Sequence, residues 1–288
     1  MPMSFITAKS FVFNGINSSD YNVVIGWVDS DITVSENGLN RELRKTTNQT
    51  RTTANIYGAE NIDVISFEFD IVRIDGKEIT RTQSIMINQW LTASPLPQLL
   101  KFNDSDGYVL HYYAVCTQIE DIVIGGRLVG KKLKFETNSP FAFAEKNIKN
   151  FNINGTLSFH VNNFADTYNG IFYPTIAILT QADSIIIENI TDKKSVTINT
   201  SKLIAGSDGY KYIKLDSNNM AVLDRNNKLI PISQLGWNEN YKSYVSSING
   251  YIDNIYWFRL VKGMNEIKVV GSCKFTMEYE FPRKAGCL

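Results

Sequence analysis

Apolar and polar residues alternate over short stretches along most of this chain. Ile65-Ser66-Phe67-Glu68-Phe69-Asp70-Ile71 puts four apolar side chains on one face and three polar ones on the other, the period of a half-buried strand. A turn at Asp75-Gly76 ends it. Tyr108 to Cys116, rich in aromatic and β-branched residues, and Leu133-Lys134-Phe135-Glu136 repeat the pattern. One segment differs. Thr80-Arg81-Thr82-Gln83 has capping-box spacing, and Ile87, Trp90 and Leu91 follow at i, i+3 and i+4, so a helix is expected before Pro95 and Pro97 forbid its continuation.

Between Ser30 and Asn61 the chain turns polar, and Glu36 to Thr53 carries Arg41, Arg44, Lys45 and Arg51 among Asn, Thr and Gln. A solvated loop or an extended hairpin accounts for this composition. An arm reaching a neighbouring subunit accounts for it too, because long loops in compact domains are uncommon unless they work. A second polar stretch, Glu145 to Asn150, follows Ser139-Pro140 and reads as a domain boundary near Ala144 to Asn152. Beyond it strands are expected at Leu157 to Val161, Ile185 to Glu188, Val196 to Ile198, Tyr210 to Leu215, Met220 to Leu223, Tyr256 to Val261, Glu266 to Val270 and Lys274 to Phe281. Turns at Asp208-Gly209, Asp224 to Asn227 and Gly263-Met264-Asn265 separate several of them. The fold class is therefore mainly β: residues 1–146 as a β domain with one helix, and 147–288 as a β-sandwich.

Composition narrows the function more than the fold. The 288 residues, 43% hydrophobic, suffice for two cores. Equal numbers of basic and acidic residues, 29 of each, leave no global field for nucleic acid or an anionic membrane. Cys116, Cys273 and Cys287 are too few and too irregularly spaced for a disulfide framework or a zinc site, which suits synthesis in a reducing cytosol. The start lacks a signal-peptide pattern, and no stretch approaches the ~18 apolar residues of a membrane helix. Asn-x-Ser/Thr triplets read as turn chemistry.

Catalytic equipment is sparse. His111 and His160, the two histidines, both sit in strand patterns and read as strand residues first. No Gly-x-Ser-x-Gly elbow, phosphate loop, dinucleotide fingerprint or His-Glu-x-x-His helix occurs. Asp104 and Asp106 before Gly107 imitate part of a calcium loop but lack its remaining ligands, so a hairpin turn is the better reading. No cofactor is expected, and an enzyme is the weakest of the readings.

Several motifs in order carry a resemblance. Ser10-Phe11-Val12-Phe13-Asn14-Gly15-Ile16-Asn17-Ser18-Ser19-Asp20-Tyr21 resembles the opening of distal tail (Dit) proteins of long-tailed phages infecting Gram-positive bacteria: a strand, an Asn-Gly turn, then Ser-x-Asp-aromatic. Ile87 to Leu91, Leu99 to Phe102, Tyr112 to Val115 and Lys134 to Ala142 follow in the family's order. Asn162-Asn163 before Tyr173-Pro174-Thr175-Ile176, and Gly263 to Gly271 after the expected strand Trp257 to Val261, resemble its galectin-like domain. Where many relatives have a Gly-rich long loop, this chain has Asn48 to Ala54 before Tyr57-Gly58. The resemblance implies a belt domain that assembles into a homohexameric ring at the tail tip, with a DNA channel, followed by a galectin-like sandwich. It implies as partners the tail tube protein, a tail-associated lysin or tip protein, a receptor-binding protein and passing DNA without sequence-specific binding. No membrane is involved; the location is the virion tail tip, after assembly in the host cytoplasm. Arg41, Arg44, Lys45 and Arg51 are then candidate contacts to a neighbouring subunit or the channel. A second reading, a glycan-binding module, draws on the aromatics, with Trp237 as a test residue.

Overall fold

The computed structural model describes residues 8–26, 41–46, 53–61, 64–103, 110–167, 169–201, 203–230 and 257–284. They fall into two compact units, one within Met1–Glu145 and Arg283–Leu288, the other within Lys146–Pro282. Nearly all regular structure is antiparallel β.

In the first unit the strands are β1 (Ser10–Phe13), β2 (Ile16–Asn17), β3 (Val23–Gly26), β4 (Arg41–Thr46), β5 (Asn55–Asn61), β6 (Ser66–Arg73), then helix α1 (Arg81–Leu91), β7 (Gln98–Asn103), β8 (Leu110–Ile124), β9 (Arg127–Thr137) and β10 (Ala142–Ala144). One sheet runs in the order β2-β1-β7-β8-β9-β6-β3. It curls until the Ile25 N–H of its last strand donates to the Lys9 C=O just before its second, at 2.9 Å. Alternation decides what lies inside. Phe67, Phe69 and Ile71 of β6, Leu133 and Phe135 of β9, and Phe11 and Phe13 of β1 are buried. Their rings pack face to face and edge to face: Phe69 stacks on Phe135 at 5.6 Å, and Phe11 meets Phe69 edge-on at 5.2 Å.

Helix α1 begins as its sequence requires. Thr80 Oγ1 accepts from Gln83 N–H, and Gln83 Oε1 accepts from Thr80 N–H, so two donors that the helix leaves unpaired are satisfied reciprocally. Ile87, Trp90 and Leu91 form its buried stripe. Trp90 lies between two rings, Phe11 at 5.5 Å and Tyr21 at 4.8 Å, both nearly parallel to it. Its indole N–H donates to Phe13 C=O at 3.0 Å. The opening motif gains a physical meaning here. Asn14 (φ 50°) and Gly15 (φ 77°) adopt the left-handed pair that a two-residue hairpin needs. Asn17 and Asp20 cap a 3₁₀ turn, Ser18–Tyr21, and the buried Ser18 hydroxyl accepts from Phe11 N–H. The turn delivers Tyr21 to Trp90.

The hairpin β8–β9 is far longer than its apolar core alone required, because β8 continues past Cys116 through a bulge to Ile124. Lys131 sits on its core face, in line with Leu133 and Phe135, and is buried opposite Ile71 and Asp121. Its ammonium pairs with the half-exposed Asp121 carboxylate.

In the second unit the strands are β11 (Asn147–Ile153), β12 (Thr156–Asn163), β13 (Thr175–Thr180), β14 (Ser184–Asn189), β15 (Lys194–Asn199), β16 (Lys211–Asp216), β17 (Ala221–Leu223), β18 (Gly263–Val270) and β19 (Cys273–Tyr279). Two sheets, β11-β19-β13-β16-β17 and β12-β18-β14-β15, enclose a core of Ile176, Ile178, Leu215, Phe275 and Met277 from one and Ile185, Ile187, Val196, Ile267 and Val269 from the other. The polar stretch read as a boundary is strand β11 from Asn147 onward: Lys149, Phe151 and Ile153 turn inward while Ile148, Asn150 and Asn152 face out, a pattern the intervening asparagines conceal. The expected strand Tyr256 to Val261 is not one within its described part, which makes a single bridge, Leu260 with Phe172. Three buried asparagines hold this segment instead. Asn163 Nδ2 donates to Leu260 C=O, Asn189 Nδ2 to Arg259 C=O and to Asn265 Oδ1, and Asn265 Nδ2 to Val261 and Gly263 C=O. Amides with two donors and one acceptor satisfy irregular backbone where a ladder does not.

Trp90→Phe should lower stability by about 1–2 kcal/mol through the lost indole hydrogen bond to the Phe13 carbonyl and the smaller ring, and Trp90→Ala by about 3–5 kcal/mol, read from the urea midpoint in far-UV circular dichroism. Asp121→Ala should cost about 1–3 kcal/mol, less than a fully buried pair because Asp121 meets water, whereas Asp121→Ala with Lys131→Met should recover most of it.

Candidate functional site

Among the described residues, strands β4 and β5 pair only with each other, forming a two-stranded ribbon separate from the first unit's large sheet. The register runs from Arg41 opposite Asn61 to Thr46 opposite Asn55, with a bulge between Arg44 and Lys45 that leaves Tyr57 as the extra residue. Gly58 takes φ 144° there, a conformation that glycine permits. Leu43 and Ile56 are 50% and 63% exposed, and Tyr57 is 67% exposed. Leu43 and Lys45 share one face of the ribbon, and Arg44 lies on the other. The expected cationic cluster is thereby split: Arg44 and Lys45 are exposed on opposite faces, Arg41 opens β4, and Arg51 lies outside the described residues. What the ribbon adds, and charge alone did not reveal, is an apolar centre. A two-stranded ribbon is marginal in water, and exposed Leu, Ile and Tyr on it favour a covering partner. The pair Ile56-Tyr57 inside a polar stretch was its only signal in the sequence.

Elsewhere the chemistry is that of packing. His111 is buried on β8, 6.2 Å from the Phe143 ring and 5.7 Å from Tyr113. His160 is exposed on β12, in the other unit. Burial pushes the thiols of Cys116 and Cys273 up to about 11, so both stay protonated and weakly nucleophilic at neutral pH. A shallow depression on the outer face of β6, β8 and β9 is lined by Glu68, Gln118, Glu120, Lys132, Leu133 and Lys134. Its charges are already shared, with Lys132 and Lys134 each 3.7 Å from Glu68. Asp104, Asp106 and Trp237 lie outside the described residues. Among the described residues no helix is long and apolar enough to cross a membrane.

Comparison with known proteins places this architecture. Residues 6–139 match the family described as the phage tail protein N-terminal domain. No curated protein matches the chain in sequence. Among solved structures it is similar to the Dit protein of phage SPP1, described as a paradigm of the hub adsorption apparatus in phages infecting Gram-positive bacteria, with TM-score 0.58 and 14% identity over 94% of this chain and 98% of that one. It is also similar to a chain of the phage P2 baseplate in its activated conformation with Ca, with TM-score 0.50 and 9% identity over 97% and 99% of the two chains. At such identities the likeness is one of fold. The family match lies within the first unit, which is similar to the phage tail protein N-terminal domain over residues 6–139. Over nearly its whole length it has the fold of a distal tail protein, and the family resemblance of its motifs holds.

Replacing Leu43 and Ile56 together by Thr should leave the isolated chain's stability within about 0.5 kcal/mol, since neither side chain is buried by its own subunit. A loss several times larger, measured by urea denaturation, would show that the ribbon packs on its own unit and offers no docking face.

Proposed function

We propose that this protein is the structural hub of a phage tail tip: six copies form a closed ring below the tail tube, around a channel for DNA. The observation that carries this reading is the near end-to-end correspondence with the SPP1 Dit fold, joined to the family match of the first unit. Residues 1–146 act as the ring-forming belt. Residues 147–288, as a galectin-like sandwich, dock a tail-associated lysin or tip protein and a receptor-binding protein. The role is mechanical and not enzymatic, and assembly takes place in the host cytoplasm before the protein takes its place at the tail tip.

Ring closure demands two different patches per subunit, one giving and one receiving. The β4–β5 ribbon supplies a giving patch: extended, exposed and apolar at its centre, with Arg44 and Lys45 exposed on it and Arg41 and Arg51 near it in sequence. The balanced net charge suits a channel wall, because a strongly basic wall would retain phosphates through counterion release.

Light scattering of the purified chain should give a hexameric mass, or negative-stain images of tail fragments should show a six-fold ring. The variant with Arg41, Arg44, Lys45 and Arg51 all changed to Ala should remain folded and lose the ring. A stable monomer at all concentrations, with no ring on tail fragments, would refute the proposal; intact rings in the variant would refute the role given to the four cations.

A further inference from the structure

Strands β11 and β12 form one continuous edge. Asn147 to Ile153 pairs with Tyr279 to Cys273, and Thr156 to Asn163 pairs with Val270 to Gly263, so a single register runs through both ladders. The ribbon bends from one sheet to the other at Gly155 (φ 100°) and Gly271 (φ 130°), which are joined by a hydrogen bond from Gly271 N–H to Gly155 C=O at 2.7 Å. That bond sets the phase of the β12 ladder: odd-numbered residues bond to β18, and even-numbered ones face away from it. Glu266 confirms the phase. It lies opposite His160, yet its C=O accepts from Ile190 N–H and its N–H donates to Thr191 Oγ1, both on the far side. The N–H and C=O groups of Thr156, Ser158, His160 and Asn162 therefore all point off the open edge, and no described residue takes them up.

Folded proteins blunt such edges with charge, proline, bulges or a covering segment. Four other edge strands among the described residues carry such devices. β3 is bonded to Lys9, β17 is bridged by Leu229 and Ile230, β15 starts after Lys193 with Lys194, and β11 turns Lys149 inward. Among the described residues β12 has none of them over eight residues of unbroken register. Leu157, half-buried, and Phe151, half-buried and 4.5 Å from Phe159, leave apolar surface along the same edge.

We propose that β12 is a docking strand, completed by an extended segment of another tail-tip protein that adds one strand to the four-stranded sheet. This rests on the hub reading above. The segment's chemistry follows from the edge. It is six to eight residues long (about the length of β12), uncharged opposite Thr156, Ser158 and His160, and apolar at alternate positions to cover Leu157 and Phe151. A second copy of this chain is the other conceivable occupant. Pairing β12 with β12 is two-fold, however, and two-fold pairing is foreign to the cyclic contacts of a single ring.

The test uses the full chain in assembled tails. Ser158→Pro removes one outward N–H and no bond to β18, so it should fold and form rings while the tails lose one tip protein by about tenfold, the effect of ~1.4 kcal/mol. Thr156→Lys with Ser158→Lys blunts the same edge from exposed side chains and should do likewise, which keeps the test decisive if the proline variant misfolds. Amide exchange gives an independent reading: the N–H groups of Ser158 and His160 should exchange quickly in the isolated chain and be protected in tails. Unchanged tail composition with both variants, or no protection in tails, overturns the proposal. A dimer of the isolated chain that Ser158→Pro dissociates also overturns it, assigning the edge to a second copy. If the wild-type chain forms no ring, the hub reading fails by itself, and amide protection in tails still decides the edge.

Discussion

Everything in the first unit converges on Trp90. Its ring is stacked between Phe11 of the second strand of the sheet and Tyr21 of the 3₁₀ turn, and its N–H is bonded to the Phe13 carbonyl. A helix, a strand and a turn far apart in sequence are fixed by one side chain that is both large and singly polar. Around it the Phe11, Phe69 and Phe135 rings set how tightly the sheet curls. The opening motif, which in sequence is only a run of small polar residues after two phenylalanines, is the device that brings Tyr21 to this ring.

The second unit solves a different problem. Its irregular segment from Trp257 to Val261 is fixed by amide side chains in the interior, each of which is fully engaged. Buried polar groups of this kind are costly when unpaired and specific when paired. The Asn-rich composition, read from sequence as turn chemistry, thus serves two ends, since Asn163, Asn189 and Asn265 are interior fasteners.

Legibility in the sequence followed how strongly each element obeys its period. Ser66 to Arg73 and α1 were plain, because alternation and the Thr80–Gln83 cap are local facts. Asn147 to Ile153 was not, since asparagines at an edge mimic a linker when the partner strand, more than a hundred residues away, is out of sight. Trp257 to Val261 failed the other way: its apolar residues looked like a strand, and tertiary amide contacts override that propensity. At the candidate site the cations were visible, but their split over two faces follows only once Arg41–Thr46 is known to be a strand, and the polar stretch hides its pairing with Asn55–Asn61.

The bent ribbon that edges both sheets of the second unit has a mechanical meaning. Because covalent chain crosses the bend on both strands, at Gly155 and Gly271, load applied to one sheet passes to the other along backbone and need not travel through side-chain packing. Tension along that hinge would be carried in shear by a long run of parallel-loaded hydrogen bonds, which must break together and not one after another. A module tethered at a tail tip and tugged by a cell surface would gain from such a seam, and the two glycines would be where it flexes first.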